Sequence, residues 1–195
     1  MMQNYNLNED FAALAKNIER LEDLIPKIVQ LGEQIGQVLA SGGAVFFCGN
    51  GGSAADSQHW AAELTGRFNH NRKAYRAYAL TVDTSAITAI ANDFGFDHVY
   101  SRQLQGLARA GDVLIAITTS GNSANILRAA EQMKQIGGVV IAFSGPNQRE
   151  IDRVSDHVLH VPGSRTDLIQ NLQVILGHSF CKIIESYLVS MEKHD

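Results

Sequence analysis

Apolar residues over positions 10–40 recur at intervals of three and four: Phe11, Leu14, Ile18, Leu21, Leu24, Ile25, Ile28, Val29, Leu31, Ile35, Val38 and Leu39. That period predicts amphipathic helix. Pro26 divides the segment into two helices or one kinked helix, because proline lacks a donor and crowds the preceding turn. Two partners for the apolar stripe stand equal: the chain's own sheet, or a helix bundle shared between subunits. The pattern then changes. Residues 44–48 form a continuous apolar run, followed by a glycine-rich turn and a helical stretch reaching Arg67. Further strands are predicted at 75–82, 113–117, 139–144 and 157–161, with helices at 84–93, 97–108, 124–133 and 165–191. Strands rich in Val, Ile and Leu that alternate with helices predict an α/β fold: a doubly wound parallel sheet flanked by helices, with long helices at both ends of the chain. The apolar positions of 165–191 cover more than one stripe, which predicts burial on more than one side.

In such a sheet, ligands bind beyond the carboxyl ends of the strands. Two polar loops fall at those ends. In the first, Gly49-Asn50-Gly51-Gly52-Ser53, glycines let the backbone approach a ligand and the next helix offers free N–H groups to an anion. The second, Thr118-Thr119-Ser120-Gly121-Asn122-Ser123, holds more hydroxyls than capping a helix requires, and hydroxyls suit phosphate oxygens. The first loop also fits the G-x-G-x-x-A form of a dinucleotide fingerprint. That reading is weakened, because the second strand ends near Asp83 without the acid expected about 20 residues after the glycines.

His59 and Glu63 lie one turn apart on the helix after the glycine turn and project from one side. Gln170 and His178, two turns apart in the last helix, occupy neighbouring faces. Read alone, His59 and Glu63 are an ordinary surface pair and His178 a core histidine. They form a constellation for zinc or for proton transfer only where the fold joins them. His70, His98, His157, His160 and His194 show no pairing.

Composition narrows the remaining choices. With 195 residues, 45% hydrophobic and 18% charged, the chain suits one domain, and a net charge of −4 without a basic run disfavours nucleic acid as a main partner. Cys48 and Cys181 lack metal-type spacing and read as reduced core residues. The polar, acidic first ten residues and the expectation that no window reaches the apolar length of a membrane span predict a soluble cytoplasmic protein.

Four motifs carry a resemblance: Cys48-Gly-Asn-Gly-Gly-Ser53, His59-x-x-x-Glu63-Leu-Thr-Gly-Arg67, Asn92-Asp93-Phe-Gly-Phe96, and the run from Gly111 to Ser123. Together they resemble the sugar isomerase (SIS) family over nearly the whole chain, treated as a single domain over 1–195. Within it they resemble the members that convert sedoheptulose 7-phosphate to D-glycero-D-manno-heptose 7-phosphate, at the start of the route to ADP-heptose of the lipopolysaccharide core. The resemblance implies zinc, a homotetramer whose terminal helices, residues 1–40 included, pack centrally, and active sites near subunit boundaries. It implies metal ligands His59, Glu63, Gln170 and His178. Asn50, Gly51, Gly52, Glu63, Asn92, Asp93, Thr118, Thr119, Ser120, Ser123 and Gln170 would bind substrate, the hydroxyl loop taking the phosphate. Glu63 and His178 resemble the acid/base pair, and Ser53, Arg67 and Asp167 match positions near the substrate. A carboxylate bound tightly to zinc is a poor base, so Glu63 must exchange between its two roles or bind the metal loosely. Ala54-Ala55, Asn171 and Gln173 depart from common family residues. The alternative is a non-catalytic SIS protein that binds the replication initiator DnaA; such proteins typically lack the glutamate and final histidine retained here.

Overall fold

The computed structural model describes residues 6–192, so residues 1–5 of the polar N-terminus and His194 lie outside the described residues. Helix α1 (Leu7–Glu19) runs through a 3-10 turn (Arg20–Leu24) into α2 (Ile25–Ala40), with Pro26 in the first turn of α2, where a missing N–H costs nothing. The strands are β1 (Val45–Gly49), β2 (Ala77–Ala79), β3 (Val113–Ile117), β4 (Val139–Ser144) and β5 (His157–His160). Between them lie α3 (Gly52–Thr65), α4 (Thr84–Phe94), α5 (Ser101–Leu107), α6 (Ala124–Ile136) and α7 (Glu150–Val154), and α8 (Thr166–Glu192) ends the described chain.

All strand pairs are parallel, in the order β2-β1-β3-β4-β5. Side chains alternate between the two faces of each strand, and each face builds its own core. Val45, Phe47, Val113, Ile115 and Ile117 join Leu31, Ile35, Trp60, Leu172 and Phe180 on the face covered by α2, α3 and α8. Phe46, Cys48, Leu114 and Ala116 join Leu104, Ile126, Met133 and Ile151 on the other. The fold is therefore the doubly wound α/β architecture. Its strand order reverses between β1 and β3, which places the two polar loops side by side at the switch point.

Helix α8 buries a stripe from Leu168 through Leu172, Leu176, Phe180 and Ile184 to Leu188. A second row, Ile183 and Tyr187, packs on Gly32 and Gly36 of α2, where a Cβ would lie 2.7 Å from Ile183 and 2.6 Å from Tyr187. Two small residues one turn apart let these helices approach closely. On a neighbouring face α8 crosses α3, and a Cβ at Gly177 would collide with the indole of Trp60.

Some expectations are corrected. The strand expected at 75–82 shrinks to three residues on the sheet edge, since beyond β2 the Leu80 N–H only reaches Phe47 O. The helix expected at 97–108 splits into a 3-10 turn, Phe96–His98, and α5. Helix α7 falls in a stretch to which the sequence pattern assigns no element. By length and composition α8 could cross a membrane, contrary to the expectation that no window would; its buried stripe makes it a core helix of this sheet. Helix α1 buries none of its residues, and Leu7, Phe11 and Ile18 stay exposed.

Gly177→Ala is expected to force α3 and α8 apart and to lower stability by about 1–3 kcal/mol, the scale of overpacking a core. The chemical-denaturation midpoint measures it; an unchanged midpoint would mean that the indole has room to move.

Candidate active site

The glycine turn forms because Gly51 takes φ +56°, a conformation that costs a side chain strain, and the chain then enters α3 directly at Gly52. Gln170, in the second turn of α8, lies against this start of α3: a Cβ at Gly52 would sit 2.9 Å from its Nε2. Tyr100 closes the other side, its hydroxyl donating to Gly49 O at 2.6 Å, and burial pushes that phenol well up from its ordinary pKa. Asn50 and Asn125 exchange amide hydrogen bonds at 2.9 and 2.8 Å, which locks the glycine turn to the first turn of α6.

The hydroxyl loop stands beside it. Thr118 Oγ1 accepts from the Gly121 N–H at 3.1 Å, while Ser120 Oγ lies 3.4 Å from both Thr118 Oγ1 and Ser123 Oγ. Ser123 occupies the N-cap of α6 without capping it, so its hydroxyl and the first N–H groups of that helix stay open to a ligand. Thr119 and Ser120 line a polar groove of about 460 Å³. Buried Gln173 supports the loop from below, donating to Thr118 O at 3.1 Å.

Beside the α3–α8 crossing, the expected constellation comes together. His59 Nε2 lies 2.8 Å from His178 Nε2 and 3.5 Å from Glu63 Oε1, and one ligand atom from each of the three residues falls within 4.8 Å of the others. His178 is wedged between His59, edge-on at 5.0 Å, and the ring of Phe68, stacked at 6.0 Å. Asp56, one turn before His59, faces the same group; burial raises its carboxyl pKa above the ordinary value, against the opposing pull of His59 and His178. Its i−3 spacing from His59 is the sequence signal for it.

The wall behind this group is ionic. Buried Glu185 accepts from the N–H groups of Phe68 at 2.9 Å, Asn69 at 2.6 Å and His70 at 3.1 Å, and from Arg72 Nε at 3.1 Å. Arg72 donates in turn to the carbonyls of Glu63 at 2.7 Å, Leu64 at 2.8 Å and Gly66 at 2.8 Å. The pair thus ties Phe68, which stacks on His178, to the end of α3 that carries Glu63. Burial works to raise the Glu185 pKa, but the three N–H donors and the Arg72 charge outweigh it and leave the carboxyl below its ordinary value.

Not every sequence candidate joins this group. Asn92 donates to Asp93 at 2.8 Å on the exposed last turn of α4, and neither bonds to the two loops. Asp167 pairs with Arg165 at 2.6 Å on the surface, Arg67 is exposed, and Ser53 is buried in the first turn of α3. Asn125, Gln173, Arg72 and Glu185 lie outside the sequence candidates, because only tertiary contact gives them partners there.

Known proteins resemble this chain in both sequence and fold. The model of the SIS domain family matches residues 9–145. The chain belongs to the SIS family. A phosphoheptose isomerase of Neisseria meningitidis serogroup A is 48% identical over 169 residues, covering 85% of this chain and 86% of that protein. One of Helicobacter hepaticus is 44% identical over 180 residues, 92% of each. Among solved structures, phosphoheptose isomerase GmhA from Neisseria gonorrhoeae superposes with a TM-score of 0.87 at 43% identity, covering 92% of this chain and 97% of that one. Nothing in these comparisons supports the DnaA-binding alternative within the SIS family.

Glu185→Gln leaves Arg72 buried without its counter-charge and is expected to cost about 3 kcal/mol. Because the folded pKa of Glu185 is depressed, its contribution is present above the ordinary carboxylate range and is lost as pH falls through the lower folded value. Urea midpoints measured from pH 7 down to pH 3 should therefore fall more steeply for wild type than for Glu185→Gln; parallel curves would remove the carboxylate from the account.

Proposed function

We propose that this chain is a phosphoheptose isomerase that converts D-sedoheptulose 7-phosphate to D-glycero-D-manno-heptose 7-phosphate, toward ADP-heptose of the lipopolysaccharide core. One observation carries the reading: His59, Glu63 and His178 converge beside two loops suited to a sugar phosphate, in a chain up to 48% identical to relatives of that name. Ketose-to-aldose conversion needs no oxidant. A proton leaves one carbon to give an enediol and returns to its neighbour, while hydroxyl and carbonyl exchange a second proton. Glu63 is assigned the carbon-bound proton and His178 the oxygen-bound one. Substrate would be held by Asn50, Gly51, Gly52, Asn92, Asp93 and Gln170, with Thr118, Thr119, Ser120 and Ser123 on the phosphate.

Two imidazoles and a carboxylate within 4.8 Å of one another fit zinc in donor type and spacing. His59, Glu63, His178 and Gln170 would hold it, and when bound it would polarise the sugar carbonyl. Phe68 and the Arg72–Glu185 pair fix the two protein groups that handle protons, whatever the state of the metal site. We also infer that residues 1–195 act as one SIS domain in a cytoplasmic homotetramer. The exposed Leu7, Phe11 and Ile18 on α1 support an assembly through the N-terminal helices, and the free, buried Cys48 and Cys181 suit a reducing compartment.

Turnover of sedoheptulose 7-phosphate by the purified protein tests the reading. Glu63→Gln and His178→Gln should each lower kcat by at least about 100-fold, the scale of a lost acid/base group, without altering the elution volume of the oligomer. A chelated sample should lose activity and regain it with zinc. Wild type that stays inactive with zinc supplied would sink the assignment.

A further inference from the structure

A sugar phosphate carries close to two negative charges at neutral pH, yet the loop 118–123 contains no cation. Its hydroxyls and the N–H groups at the head of α6 supply partial charge only. The groove on the flank of this loop, about 460 Å³, is lined by Thr119, Ser120, Asn122, Asn147, Arg149 and Ser164 among others. Arg149 is its one cation.

Arg149 is fastened to the loop. A Cβ at Gly121 would lie 2.6 Å from Arg149 Cβ and 2.8 Å from its Cγ, so the stem of the arginine lies directly on that glycine. The start of α7 is laced to the same backbone, with the Ile151 N–H donating to Gly121 O at 3.0 Å and the Glu150 N–H to Asn122 Oδ1 at 3.3 Å. The guanidinium therefore hangs from a segment that keeps register with the hydroxyls. Nearby cations are already engaged: Arg165 with Asp10 at 2.7 Å and Asp167 at 2.6 Å, and Arg153 with Glu150 at 3.0 Å. Among the described residues, the Arg149 side chain has no carboxylate partner.

We propose that Arg149 is the cationic contact for the phosphate end of the substrate, reaching it from the groove beside the hydroxyl loop. The planar fork of a guanidinium can meet two phosphate oxygens at once, and such charge-assisted bonds are roughly twice as strong as neutral ones. The placement rests on the isomerase reading for the identity of the sugar, but the contact with phosphate is chemically independent of it. Arg149 acts on binding, because the phosphate lies at the far end of the sugar from the carbons that exchange a proton.

The test uses the full-length protein with two readouts: steady-state turnover of sedoheptulose 7-phosphate, and calorimetric binding of inorganic phosphate. Arg149→Gln keeps the Cβ and Cγ that rest on Gly121 and removes the guanidinium with its charge. It should raise KM by about tenfold with kcat unchanged and weaken phosphate binding by a similar factor, the scale of one charge-assisted contact. Arg149→Lys should recover part of both. Unchanged KM in an active variant, a fall in kcat at constant KM, or phosphate affinity that is equal or undetectable in both proteins would overturn the proposal. Wild type that binds phosphate but does not isomerise the sugar would instead overturn the isomerase reading, and the loss of phosphate binding in Arg149→Gln would still support the arginine.

Discussion

The contact on which the site depends is the indole of Trp60 lying on the bare Cα of Gly177. Each of these residues is the immediate chain neighbour of a site histidine, His59 on α3 and His178 on α8. The distance at which the two helices cross is therefore also the distance that decides whether the imidazoles can meet. A side chain at 177 would hold the helices apart, and the 2.8 Å approach of the two Nε2 atoms would go with it. Trp60 is further braced by Phe47 at 6.2 Å and Phe143 at 5.3 Å, so the crossing is referred to the sheet itself. Here packing and chemistry are the same fact seen from two sides of a helix.

The strand order supplies the second constraint. Because the chain reverses direction across the sheet between β1 and β3, the glycine turn and the hydroxyl loop emerge side by side, and the Asn50–Asn125 amide pair joins them. Helix α8 then lies across both, with Gln170 at the glycine turn, Gln173 beneath the hydroxyl loop, His178 at the triad and Glu185 behind it. Successive turns of one helix thus serve four parts of the site. The period of 3.6 residues converts a linear order into a spatial one.

The legible part of this protein is the part governed by local pattern. Continuous apolar runs such as 113–117 announce strands buried on both faces, and glycine or hydroxyl clusters at their ends announce the two polar loops at the switch point. The spacing of His59 and Glu63 announces a shared helix side. Their junction with His178 is a different matter: 119 residues separate the two histidines, and no periodicity spans that gap. The edge strand β2 is overread because Tyr75 to Val82 has strand composition, whereas an edge position offers one partner and the chain leaves it after three residues. Helix α7 is missed because Gly-Pro-Asn-Gln-Arg carries every mark of a turn. Arg72 and Glu185 look like surface charges in the sequence, and only burial shows them to be a clamp.

The reach of α8 also bears on how the chain is made. Strands β1 to β5 and both polar loops precede it in synthesis. The triad, the wall behind it and the support under the hydroxyl loop all wait for the same last helix. Until it docks, one face of the sheet also lacks the side chains that complete its core. Docking of that one helix closes the core and brings His59, Glu63 and His178 together in the same step.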